Sequence, residues 1–267
     1  MRKLLFLLLC LTSPLFGGVV EDGIKQLSWH DRACMKAFFD EVIKRDQISH
    51  VLFYDNKPVC LTALVLKDKH QIFRNIQCLK GWRTFKKYEH LFPHPDYIID
   101  ENVIEFDKNF RVLHVYFINK RSLVQCLETN LDLFKESLGL NFSTESFMAK
   151  LEEGCSLPDL LFRNEMLIGV LLGYGQESAR AFHEACLHQN RNYAPPETET
   201  YRAVELKSPK GCKIYPVVFM GNPHSPEVKK LSSIYERELE AFWQAYRPSN
   251  NRLRLVLKGL CSDSSPD

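Results

Sequence analysis

The sequence has no apolar run long enough to cross a bilayer. Leu4 to Leu11 covers eight residues and Met166 to Leu172 seven, against the ~20 that a spanning helix needs. It also has no excess of one charge and no long basic block, since 35 basic residues face 33 acidic ones. That argues against a nucleic-acid binder, which needs a basic stripe to neutralise phosphates. Lys86 and Lys87, beside Arg83 and Tyr88, read as a solvated helix face. No C-x-x-C pair occurs, so neither a zinc ribbon nor a thioredoxin-like redox site is indicated. G-x-S-x-G, internal repeats and low-complexity tracts are missing as well. A triad assembled in space would leave no such local signature.

What remains is a globular composition: 267 residues, 45% hydrophobic and 25% charged, enough for one large domain with a buried core. The N-terminus carries its own pattern. Arg2 and Lys3 precede the apolar run, Pro14 breaks it, and Gly17 and Gly18 are small. Positive start, short apolar centre and small exit residues are the order of a secretory signal peptide. The expectation is cleavage after Gly17, leaving residues 18–267 as a single exported unit with no transmembrane anchor. A boundary inside it would fall near 190–200, where Pro195 and Pro196 lie in the longest loop-like stretch. Without residues 1–17 the chain has 33 charges of each sign and eight of its nine cysteines. An even number in an oxidising compartment predicts at least one disulfide, although each thiol alone reads equally well as a small buried hydrophobe. Eight cysteines leave the pairing open.

Periodicity predicts an α+β fold, with antiparallel hairpins in the N-terminal half and helices dominating the C-terminal half. Ser28 reads as a helix cap, with Trp29, Ala33, Ala37, Phe38 and Val42 on one face. His50–Tyr54 and Val59–Leu66 read as strands joined by the turn-forming Asp55-Asn56-Lys57-Pro58. Lys69–Leu79 and Trp82–Leu91 read as polar helices. Asn102–Asp107 and Phe110–Ile118 form a second hairpin, and a helix runs from Ser122 to a Gly139 cap. Ser143 starts a short helix that Gly154 ends, and another covers Asp159–Leu172. Lys213–Met220 reads as a strand that Pro216 places at an edge or a bulge, and Arg252–Leu257 as a last strand. The clearest helix starts with Ser225 and Pro226 and carries Val228, Leu231, Tyr235, Leu239, Phe242 and Tyr246 at spacings of three and four. Ser262–Asp267 reads as a frayed tail. The predicted core includes Trp29, Phe38, Leu52, Leu64, Val115, Leu127, Ile168, Phe182, Val218, Leu231 and Phe242.

The chemical motifs are near misses. His183-Glu184-Ala185-Cys186-Leu187-His188 approaches a zinc-protease pattern, but five-residue spacing turns the second histidine about 140° around a helix. His90 and His94 have the right spacing, with Pro93 between them breaking the helix. Gly173-Tyr174-Gly175-Gln176-Glu177-Ser178 reads either as a dinucleotide-binding turn or as a helix–glycine–helix elbow; the elbow is preferred because nothing fixes the preceding run as a strand. No cofactor or metal is therefore implied. Leu171-Leu172-Gly173-Tyr174-Gly175, with Ala179 and Phe182, resembles an element of uncharacterised exported proteins of intracellular bacteria, over residues 160–185. The resemblance implies an envelope or secreted protein and carries over no functional residue.

The junction Gly221-Asn222-Pro223-His224-Ser225-Pro226 is the sequence's own candidate site. A helix start leaves N–H groups unpaired and carries a partial positive charge. Gly221 permits close approach, His224 titrates near neutrality and Ser225 offers a hydroxyl, a set suited to a small anionic ligand. The reading is an exported binding or interaction protein of the bacterial envelope or secreted fraction, periplasmic or secreted, whose partner is a protein or a small anion. An exported hydrolase with a spatially assembled site is the alternative.

Overall fold

A sheet buried on both faces organises the centre of the fold. In the computed structural model, which describes residues 14–67, 73–108, 110–189, 202–204, 206–249 and 251–261, three antiparallel strands lie in the order β1 (Val59–Lys67), β3 (Phe110–Asn119), β2 (Tyr97–Asp107). Val59 pairs with Ile118 and Tyr97 with Asn119. Successive side chains point to opposite faces. Cys60, Leu64, Val115, Phe117 and Tyr97 therefore enter one core, while Val59, Tyr116 and Ile118 enter another.

The first core is closed by α1 (Pro14–Gln26), α2 (Trp29–Arg45), α3 (Ile48–Phe53) and α4 (Phe73–Tyr88), together with α11 (Pro226–Tyr246) and α12 (Arg252–Cys261). Gly81 lets α4 meet α2, because a Cβ there would strike the Cys34 carbonyl. The second core is closed by α5 (Lys120–Thr129), α6 (Leu131–Leu138), α7 (Thr144–Glu152), α8 (Leu157–Leu160), α9 (Glu165–Leu171) and α10 (Gln176–Gln189). A two-stranded pair, β4 (Arg202–Val204) with β5 (Phe219–Gly221), joins a smaller cluster around Tyr235. The fold is α+β as expected, with its three-stranded sheet in the N-terminal half and helices dominating the rest. No described helix is long and apolar enough to cross a membrane.

Several elements differ from expectation. Residues 50–53 belong to α3, whose six residues are all buried and whose C-cap is Tyr54, and the predicted last strand is α12. The α3 residues, buried on every side, leave no period to read, whereas Arg252 and Arg254 alternate with Leu253 and Leu255 as they would along a strand. The predicted helix 122–138 is two, broken at Asn130, and β2 starts at Tyr97. The helix 159–172 breaks where Phe162 and Arg163 take positive φ. The strand 213–220 shrinks to β5. Trp29 is 83% exposed, off the stripe set by Met35, Phe38, Phe39, Val42 and Ile43. Val218 is 55% exposed because the alternation that buries Val217 and Phe219 turns it outward. Ile168, Phe182 and Leu231 are half-buried, and the other predicted core residues are buried.

α1 runs unbroken through Gly17 and Gly18, and Val20 is fully buried in the first core. Residues 1–13, the 190–200 boundary and the tail 262–267 lie outside the described residues. The seven described cysteines are all free, so none of them forms the expected disulfide. Cys60, Cys78 and Cys261 instead pack as small apolar groups in one core, and the Cys60 thiol donates to the Asp46 carbonyl at 2.7 Å.

Phe242 is 1% exposed and packs against Phe53 and Tyr246, with ring centroids 5.3 and 5.2 Å away. Phe242→Ala should destabilise the fold by about 3–5 kcal/mol through lost contact and the cavity left behind, read as a lower urea midpoint with an unchanged slope.

Candidate functional site

The loop Tyr54–Pro58 passes from α3 into β1, and its polar residues are drawn inward. Glu238 explains this. It stands in mid-α11 between Tyr235 and Phe242, on the buried face, and is 4% exposed. A carboxylate so placed needs donors. His50 donates from Nδ1 to Glu238 Oε2 at 2.8 Å, and Asn56 Nδ2 donates to Oε1. One turn earlier, Tyr235 donates its hydroxyl to the Gly173 carbonyl at 2.6 Å and lies edge-on to His50, centroids 5.2 Å apart.

Lys57 completes the network. It is 2% exposed, donates to the Leu172 carbonyl and holds its ammonium 5.1 Å from the centre of the Tyr174 ring. Burial lowers its pKa to about 8, against which the nearby Glu238 charge acts. Burial also pushes the His50 imidazole down, so the hydrogen bond to Glu238 is made by a neutral ring. The Tyr54 hydroxyl is buried beside them without a partner among the described residues, and burial with the Glu238 charge raises its pKa.

These contacts fix the elbow between α9 and α10. Gly173 and Gly175 have φ of 79° and 83°, a left-handed backbone that glycine takes without strain. A Cβ on Gly173 would strike the Tyr235 hydroxyl. The preceding segment is helix, so the dinucleotide-binding layout does not form.

Beside the elbow opens a cleft of about 260 Å³. Asp55 and Asn56 line it from the loop, Ser122, Gln125, Cys126, Thr129 and Asn130 from α5 and its end, Gly173, Gly175 and Gln176 from the elbow, and Glu227 and Leu231 from α11. Ser122 is 2% exposed and its hydroxyl has no partner among the described residues. Burial pushes the Cys126 thiol up to about 12, which keeps it protonated and unreactive. A wider surface cleft of about 670 Å³ lies between Pro209–Gly211 and the end of α11. Its carboxylate, Glu240, is engaged by Gln244 at 2.5 Å.

The predicted junction is placed differently from the cleft. Gly221 is buried at the end of β5, where a Cβ would lie 2.5 Å from Ser178 Oγ. His224 is exposed, and its N–H donates to Asn222 Oδ1 at 2.9 Å. Ser225 occupies the cap position, but its hydroxyl donates to the Glu177 carboxylate instead of accepting from the helix. The helix start that does hold a carboxylate is that of α10. Glu227 accepts from the N–H groups of Gln176 at 2.9 Å and Glu177 at 2.8 Å. Sequence reasoning named neighbours of this contact without naming Glu227, and took Asp55 and Asn56 only as a turn. Glu238 had a readable signal: a charge on an apolar stripe, at positions 235, 238, 239 and 242.

Among the described residues no group of three His, Cys, Asp or Glu side chains gathers closely enough to hold a metal. Comparison with protein-family models, with curated proteins and with solved structures finds no match to this chain.

Glu238→Gln replaces one acceptor oxygen by a donor facing a donor and removes the charge opposite Lys57. It should lower stability by about 3 kcal/mol at neutral pH, measured by urea unfolding. His50 carries a separate pH signature. Its folded pKa lies below the ordinary 6.5, so below that pH the unfolded chain takes up a proton that the fold resists. Wild-type stability relative to His50→Gln should therefore decline as pH falls from about 6.5 to 5, and stay level above about 7.

Proposed function

We propose that this protein is an exported binding protein that takes a small polar ligand in the cleft beside the Gly173–Gly175 elbow. The Ser122 hydroxyl carries the reading: it is buried in the cleft lining and unsatisfied by any described protein group. A buried polar group with no partner is costly, and a ligand seated here supplies the missing bond once the side chains over the hydroxyl shift. Polar groups converge on the cleft from elements far apart in sequence, a usual mark of a specific ligand site. The order of charge, apolar run and small residues in 1–17 supports export.

A hydrolase is the less favoured reading. The cleft lining has hydroxyls, carboxylates and a thiol but no histidine. The His50–Glu238 pair, which could serve as an acid–base couple, is 2% and 4% exposed, beneath the loop and away from any substrate.

Titrating isotope-labelled protein with pools of amino acids, amines, polyols and sugars should shift the amide signals of Gly173, Gly175 and Asn130 together. Pools that move only signals remote from the cleft would refute the site. Turnover of chromogenic ester, amide or glycoside substrates that disappears in Ser122→Ala would favour the hydrolase instead.

A further inference from the structure

We propose that the cleft recognises a small aliphatic amine through its ammonium group, an inference that rests on the cleft being the ligand site. The warrant is the hydrogen-bonding capacity left after the protein has satisfied itself. Asn56 directs its NH2 group to Glu238, and Gln176 directs its own to Asn130 Oδ1 at 2.6 Å. The Asn56 donor is committed inward and the Gln176 donor along the cleft wall, and in both the side-chain oxygen has no described partner. Thr129 donates its hydroxyl to the Gln125 carbonyl at 2.7 Å. What remains is richer in acceptors, with the Asp55 and Glu227 carboxylates and the amide oxygens of Asn56 and Gln176 set against the Ser122 hydroxyl and the Gln125 amide as donors, so the matching ligand brings donors.

Charge points the same way. The lining has two carboxylates, Asp55 and Glu227, and no lysine or arginine. Glu227 is partly compensated by the start of α10, whose N–H groups it accepts. Asp55 is exposed and engages no described group. The nearest buried cation, Lys57, is committed to the Leu172 carbonyl and the Tyr174 face. An anion would meet two carboxylates with no counter-charge, whereas an ammonium meets charge-assisted acceptors. No aromatic ring lines the cleft, so it offers no stacking platform for a base or other flat ring. Its volume of about 260 Å³ limits the ligand to a compact one.

The test uses three four-carbon probes of like length: 1,4-diaminobutane, butane-1,4-diol and succinate. Each is titrated into the full chain at low salt while the amides of Gly173, Gly175 and Asn130 are followed by NMR. The diamine is expected to shift them to saturation, with weaker binding on adding salt. Asp55→Asn, on an exposed loop residue, should weaken the diamine about five- to tenfold while leaving the unfolding midpoint unchanged. Equal or tighter binding of the diol or succinate at the same amides overturns the amine assignment while the cleft survives as a ligand site. Unaltered affinity in Asp55→Asn also overturns it. Failure of all three probes and of the wider pools to move these amides removes the cleft reading and the amine with it.

Discussion

The Glu238 carboxylate is the point on which the arrangement turns. Buried in a long amphipathic helix, it has to collect donors, and it takes them from α3 through His50 and from the following loop through Asn56. Held in this way, the loop carries Lys57 under the elbow, where its ammonium fixes the Leu172 carbonyl as Tyr235 fixes that of Gly173. Three segments distant in the chain are thus locked by a few polar contacts in an apolar surrounding. In that low dielectric a satisfied network is stiff and a broken one is costly. The cleft is the outer surface of this lock. Its wall is positioned by bonds on the inner side of the same residues, which is why Asn56 can present an oxygen outward.

Parts of this were legible in the sequence, for identifiable reasons. α11 announced itself because Ser225, Pro226 and the apolar positions from Val228 to Tyr246 agree on one start and one face. The β2–β3 hairpin and the Gly173 elbow were readable because alternation and glycine act locally. α3 was misread because Val51-Leu52-Phe53 is buried by neighbours from elsewhere in the chain, which erases the contrast that periodicity needs, and α12 because Arg252-Leu253-Arg254-Leu255 alternates as a strand does. The site was largely hidden. Asn56, Ser122, Gln176 and Glu227 each look like an ordinary turn, first-turn or surface residue, and only tertiary structure brings them together. Next to the junction at 221–226 the same chemistry occurs within the fold, where Glu227 of α11 accepts from the N–H groups that start α10.

The sheet divides the protein into two cores with different demands. On one face, α5 to α9 follow one another and pack on strands that immediately precede them, so most contacts there are made by neighbours in sequence. On the other face, the core draws on both ends of the described chain. Val20 lies in it beside Leu260 and Cys261, and α12 packs against α1. The Arg254–Glu21 ion pair marks the same meeting at the surface.

That closure of first helix on last has a consequence for the order of assembly. The apolar members of the second core are all in place once the chain has passed Ala179 and can gather while the remainder is still being made, with only the elbow waiting for Tyr235 and Glu227 of α11. The first core cannot. Phe38, Phe39, Trp82 and Phe117 emerge early, yet their apolar cover from Leu239 to Cys261 comes last. Contacts across such sequence separations close slowly, because the loop entropy is lost before the contact forms. During synthesis the N-terminal face of the sheet therefore waits as an open apolar surface, and it is this half that a chaperone would have to shield.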